Sequence, residues 1–379
     1  VFVALGTGLL KPNISSIVGQ LYSQNDSRRD SGFTIFYMAI NIGSMLGFAV
    51  CGWLGEKVGW HFGFGAAGVG MLFGVTQFIF FRHQLGEAGK YPNIVNEQTK
   101  TNYIRGVGLV VILIASVVIT GMAGFWSIDP VYFAERFRDF LVVISIIYFI
   151  YLLFFAGLTA SEKKNVLMLL LLFIGAAAFW SGFDQSAGSL TIFTRDYVNL
   201  TFGTFTAPVS WTQFVNPLFV VMFAPFFAYL WVFLGKRNLD PNMPIKFGLG
   251  LILMALGFIV MILAVKYALA SSPVGVQWLL LTYLLHTFGE LTLSPVGLSA
   301  FSKYSPKRYL GQMMGIWFLA SSLGGVLAGL LGGEATESGL ESMSPVFTEL
   351  VYYCLAIAAV LIVLSFFIKG AKTDNIPDE

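Results

Sequence analysis

KFGLGLILMALGFIVMILAVKYA, Lys246 to Ala268, decides the class of fold. Between Lys246 and Lys266 the stretch holds no charged, amide or carboxylate side chain. A helix of ~20 residues crosses a ~30 Å hydrocarbon core, so the run reads as a transmembrane helix. Working outward, comparable runs fall near 1–22, 31–54, 59–81, 106–126, 140–160, 165–193, 207–234, 275–302, 312–332 and 346–368, eleven in all. The longest polar connection is about 82–105, and no soluble insertion separates the runs. The period-2 alternation of a membrane barrel is absent, and inside lipid a helix satisfies every one of its own backbone groups. The sequence therefore specifies an all-α polytopic membrane protein.

Composition agrees. Of 379 residues 56% are hydrophobic and only 11% charged, and the 37 Phe and 41 Gly suit helices that face lipid on one side and pack closely on the other. The net charge of +2, with Lys and Arg spread along the chain, does not form the basic stripe of a nucleic-acid binder. Both cysteines, Cys51 and Cys354, lie in apolar runs, where they read as small packed hydrophobes.

Assigning loops alternately to two sides separates the basic residues sharply. Only Lys57, Arg136, Arg138, Arg195 and Lys266 fall on one side, and every other Lys and Arg except Lys11 falls on the opposite one. The basic-rich side is expected to be cytoplasmic, together with the C-terminal tail 369–379. Eleven crossings then start the first run outside. The chain begins at Val1 in mid-run without Met, and the expectation is that an odd number of helices precedes it.

Three ionisable residues sit where the bilayer tolerates them poorly: Lys11 in GTGLLKPNISS, Asp184 in FWSGFDQSAGSL and Glu290 in HTFGELTLSPVGLS. Lys11 has the alternative of snorkelling to an interface, and an ion pair between Lys11 and one of the carboxylates has a purely structural reading. Lys266, Glu56 and the remaining charges stand at helix ends, where snorkelling explains them. Pro12, Pro217 and Pro295 interrupt nearby helices and free backbone carbonyls, as in the broken helices that hold transporter sites. Asn41 and Asn216 each carry an amide that needs a partner, in substrate or in a neighbouring helix. Trp180 and Trp317 lie mid-helix instead of at the interface, lining a cavity or packed in the bundle. His286, one turn before Glu290, reads as a core residue or a proton relay on the same face. With three His in the chain and no HExxH spacing a metal site is not expected, and no Walker loop, GxSxG elbow or dinucleotide fingerprint points to an enzyme.

GTGLLKPN (Gly6–Asn13) followed by FYMAINIGS (Phe36–Ser44) resembles the two-part signature of the proton-dependent oligopeptide transporters, a branch of the major facilitator superfamily. FWSGFDQ (Phe179–Gln185), NPLFVVMFAPFFAYLW (Asn216–Trp231), GELTLSPVGLS (Gly289–Ser299) and MMGIWFLASSLGG (Met313–Gly325) resemble that family's seventh, eighth, tenth and eleventh helices, in order. The resemblance implies a major facilitator fold whose N-terminal bundle is incomplete. Helices four to six would occupy 1–81, a linker and inserted helical hairpin of the bacterial type 82–164, and helices seven to twelve the C-terminal bundle, 165–368. The first three helices, with the family's ExxERFxxY motif, would lie before Val1. YFAERFRDF (132–140) lacks that motif's first Glu and is read as coincidence in the loop of the hairpin.

The function implied is proton-coupled import of di- and tripeptides by alternating access, in a bacterial inner membrane, by a monomer with no cofactor beyond the coupling proton. A zwitterionic peptide needs opposite charges set a peptide's length apart. By resemblance, Lys11 faces its carboxylate, Glu290 its amino group, and Asn41 and Asn216 its backbone. Tyr37, Trp180, Ser294 and Trp317 would line side-chain pockets. Asp184 is expected to couple the proton, since burial disfavours a charged carboxylate while a nearby cation favours it, and a Lys11–Glu290 pair would serve as a gate. The alternatives are the same fold carrying another small solute such as nitrate, or a membrane receptor or enzyme.

Overall fold

The computed structural model describes residues 29–89, 97–125, 127, 129–336 and 339–367, with Gly6, Thr7, Leu10, Ile14, Ile17, Val18 and Leu21 from the first run. Gly8, Leu9, Lys11, Pro12 and Asn13 of the GTGLLKPN motif and the tail 368–379 lie outside the described residues.

The helices, in chain order, are α1 (Arg29–Leu46), a π-helical turn (Gly47–Gly52), α2 (Trp53–Lys57), α3 (Trp60–Phe81), α4 (Glu97–Met122), α5 (Pro130–Ile150), α6 (Ala160–Phe183), α7 (Ser189–Tyr197), α8 (Trp211–Lys236), α9 (Met243–Ala270), α10 (Gln277–Tyr304), α11 (Leu310–Thr336) and α12 (Leu340–Phe367). Two-residue strands ornament the connections: β1 (Val198–Asn199) pairs in parallel with β4 (Val274–Gly275), and β2 (Thr201–Phe202) forms an antiparallel pair with β3 (Phe205–Thr206).

Among the described residues nine helical spans are long and apolar enough to cross a membrane. The run at 1–22 lies largely outside the described residues. The run at 275–302 forms a helix of 28 residues, α10, yet is not among the nine. Its polar residues His286, Thr287, Glu290 and Thr292 lower its hydropathy, and all four are buried against protein instead of lipid.

Local chemistry sets the boundaries and corrects two expectations. The run read as 140–160 starts ten residues earlier, because Asp129 caps α5 by accepting the N–H groups of Val131 at 2.9 Å and Tyr132 at 3.2 Å, with Pro130 at the first helical position. YFAERFRDF thus belongs to the first turns of α5 and not to a loop, and Arg136 and Arg138 pair locally with Asp139. The run read as a continuous helix over 165–193 breaks at Asp184–Ser186 into a 3-10 turn, after which α7 departs. Upstream, Thr159 and Glu162 form a reciprocal capping box that starts α6.

The core lies in the C-terminal half, where α9 packs most extensively against α12 and α10. Glycine makes the α9–α10 contact possible: a Cβ at Gly289 would lie 2.8 Å from the carbonyl oxygen of Gly250. Phe64, Phe73 and Phe80 of α3 are 71–73% exposed, on opposite sides of the helix. The hairpin helix α5 is held to the C-terminal half by Tyr148, whose hydroxyl donates to Gln312 at 3.0 Å, while Arg308 donates to the carbonyls of Ala156 and Gly157.

Candidate functional site

Three helices meet at Glu290. Tyr37 and Asn41 share a face of α1, and the Asn41 amide donates to the Tyr37 carbonyl at 3.0 Å. The Tyr37 hydroxyl donates to Glu290 Oε1 at 2.8 Å across 253 residues of sequence. From α8, the Asn216 amide nitrogen donates to Glu290 Oε2 at 3.0 Å and to Thr287 Oγ1 at 2.9 Å. Thr287 and Glu290 are i and i+3 on α10, so both reach the same neighbour. Glu290 is 6% exposed, and both its oxygens are held by neutral donors. No ion-pair partner of Glu290 stands among the described residues, and its expected partner Lys11 lies outside them.

Prolines shape this meeting point. Pro217 follows Asn216 inside α8 and Pro295 follows Ser294 inside α10, each without the N–H that would complete the helical ladder. The Ser294 hydroxyl is buried and unpaired, which leaves a polar atom free one turn beyond Glu290.

The other sequence-selected residues are distributed as follows. Asp184 is half-buried at the C-terminal end of α6 and lines a cavity of ≈ 500 Å³ with Ile192 and with Gly325, Gly329, Gly332 and Thr336 of α11. No cation pairs with it among the described residues. Trp180 is half-buried one turn before Asp184, edge-on to Phe183 at 5.2 Å between ring centroids. Trp317 is packed in the core between Phe247 and Phe301, its ring over Gly297, and does not join the Glu290 cluster. His286 turns to α9, where its ring lies against Gly257 and 4.9 Å from Phe258. The face it was expected to share with Glu290 is split, since an i, i+4 pair is offset by about 40° and α10 sits at a seam between α9 on one side and α1 and α8 on the other. No cluster of three or more potential metal ligands occurs among the described residues.

Two participants were not singled out from sequence. Thr287 sits between Tyr283 and Asn216, a role that its spacing from Glu290 allows but does not reveal. Glu56, read as a snorkelling charge, instead accepts the backbone N–H groups of Val209 and Ser210, each at 2.8 Å, at the N-terminal end of α8. The indole N–H of Trp211 donates to the Ala49 carbonyl at 3.2 Å beside it. The α1–α2 segment is therefore fastened to α8 from Glu290 to the far helix end.

Long apolar helices around a buried, neutrally held carboxylate define a polytopic membrane protein with a polar internal site. Comparison with known proteins gives the family: the model of the POT family, PTR2, matches residues 1–340, and the chain belongs to it. It is 39% identical over 374 residues to the peptide transporter YePEPT of Yersinia enterocolitica, covering 96% of this chain and 73% of that protein. It is 36% identical over 330 residues to a di-/tripeptide transporter of Lactococcus lactis, covering 84% and 65%. Among solved structures, a peptide transporter POT in complex with sulfate superposes with a TM-score of 0.84 at 36% identity, over 96% of this chain and 73% of the other. A POT family transporter in complex with 5-aminolevulinic acid gives 0.85 at 31% identity, over 97% and 76%.

Proposed function

We propose that the protein is a proton-coupled symporter that imports di- and tripeptides by alternating access. The observation that carries this reading is the buried Glu290 carboxylate, held by Tyr37 and Asn216 from two other helices. A buried carboxylate with only neutral partners retains room for a cation, and the amino terminus of a peptide is a cation of the right size. In this reading Glu290 takes the ammonium, Lys11 the peptide carboxylate, and Asn41 and Asn216 bond the peptide backbone. Tyr37, Trp180, Ser294 and Trp317 shape the space for side chains, Trp317 by packing from behind.

Asp184 couples the proton. It stands where α6 breaks, beside the glycine-rich face of α11, so a change in its charge acts on a joint between helices and not on a rigid rod. A Lys11–Glu290 contact, formed when no peptide is bound, would close one side and yield when substrate or proton competes for Glu290. The protein acts as a monomer without a cofactor, in a bacterial inner membrane with its C-terminus cytoplasmic.

A second cargo class on the same fold is disfavoured by Glu290 itself, since an anion such as nitrate gains nothing from a carboxylate. The relative bound to 5-aminolevulinic acid holds another molecule with both an amine and a carboxylate. The test is uptake by the transporter in liposomes under an inward proton gradient. Dialanine should accumulate and nitrate should not, and accumulation should stop with a protonophore. Nitrate uptake without dialanine uptake would replace the peptide reading.

A further inference from the structure

We propose that Thr287 is a positioning residue. It fixes the Asn216 amide with its NH2 group toward Glu290 and its carbonyl oxygen Oδ1 toward the substrate, so that the amino end of a peptide meets two acceptors instead of one. The inference rests on the peptide reading above and adds to it the residue that sets the polarity of the site.

An asparagine amide has two nearly isosteric orientations, and only its partners choose between them. The Thr287 hydroxyl is fully buried and donates to the Tyr283 carbonyl at 2.7 Å, so its oxygen is left with lone pairs only. That oxygen can accept but not donate, and an ionised Glu290 Oε2 likewise only accepts. Both lie within 3.0 Å of the same Asn216 nitrogen, which has two hydrogens to give. The opposite orientation would set an oxygen against two oxygens in a buried place, leaving three acceptors without a donor.

The planar amide then sends Oδ1 away from the Thr287–Glu290 side, and no donor among the described residues bonds it. Asn216 is half-buried and its Oδ1 is not among the fully buried unpaired polar atoms of the described residues, so this oxygen is open to a ligand. An ammonium that approaches Glu290, or the first peptide N–H behind it, finds Oδ1 as a second acceptor. Protonation of Glu290 alone does not free the amide to turn, because the Thr287 oxygen still demands an N–H. Thr287 thus keeps the amide in one orientation through a proton cycle at Glu290.

The experiment is dialanine binding and uptake by the transporter and its variants in liposomes. Thr287→Val keeps the shape and removes the acceptor, and should weaken dialanine binding about tenfold, the scale of one lost hydrogen bond next to a charge. Thr287→Ser should bind like the parent. In an Asn216→Ala background, Thr287→Val should change binding by less than about twofold, because the two residues act through one amide. An undiminished effect in that background, or failure of Thr287→Ser to restore binding, would overturn the lock. If Asn216→Ala itself binds dialanine as the parent does, the peptide-site reading of Asn216 fails, and the lock with it. Should Thr287→Val not reach the membrane, Thr287→Cys, with a weak sulfur acceptor, is expected to show the same loss and the same dependence on Asn216.

Discussion

The Tyr37 hydroxyl and Glu290 Oε1 lie 2.8 Å apart, and with them α1 and α10 are joined through one buried hydrogen bond. Tyr37→Phe removes the donor while keeping the ring. Hydrogen bonds to charged groups contribute about 1.5–3 kcal/mol, and a carboxylate left to reorient must be ordered again by each peptide. The expected outcome is a rise of several-fold or more in the KM for dialanine at little cost to the folded yield. An unchanged KM would show that Tyr37 does not hold Glu290 for substrate.

Asp184→Asn should separate coupling from binding. Without a titratable group at the α6 break, uphill accumulation driven by a proton gradient should be lost. Exchange of labelled for unlabelled dialanine across the membrane, which needs no net proton movement, should persist. Retention of gradient-driven accumulation would remove Asp184 from the coupling path.

Glu56 should matter to stability in proportion to the oxygens it offers. Its two bonds to Val209 and Ser210 cap α8, and loss of a cap costs about 1 kcal/mol. Thermal unfolding in detergent should fall most for Glu56→Ala and by an intermediate amount for Glu56→Gln, which keeps one carbonyl acceptor. Equal unfolding temperatures for all three proteins would mean that the α2–α8 contact contributes nothing.

Gly289→Ala tests the close approach of α9 and α10. The added Cβ would lie 2.8 Å from the Gly250 carbonyl oxygen and 3.1 Å from the Phe179 ring, so backbone must move. Overpacking of this kind costs about 1–3 kcal/mol, and the variant should unfold several degrees below the parent. Gly329→Ala, where a Cβ meets nothing within 4 Å, should unfold with the parent.

Much of the fold was legible because lipid imposes a length and a composition on each crossing. Lys246–Ala268 identifies itself as a span, and the structure extends it only to Met243–Ala270. α5 was misplaced because hydropathy sees the apolar run and not the cap; Asp129-Pro130 was the signal that marked its start. The break at Asp184 has no proline to announce it. Glu290, Asp184, Asn41 and Asn216 stand out in the sequence because buried polar groups are rare in such helices. Which faces of α10 they meet depends on tertiary packing, and so His286 and Glu290, one turn apart, point to different helices. Thr287 is invisible to composition, since threonine in a membrane helix ordinarily bonds its own backbone, which here it also does.

The most direct test is Glu290→Gln in liposomes under an inward proton gradient. The side chain keeps its length and an acceptor for Tyr37 but loses the charge that would meet a peptide ammonium. Dialanine accumulation should fall by at least about tenfold, in line with a lost charge-assisted hydrogen bond, while the protein remains folded and inserted. Accumulation at the parent's rate and KM would contradict the assignment of Glu290 to the amino end of the substrate.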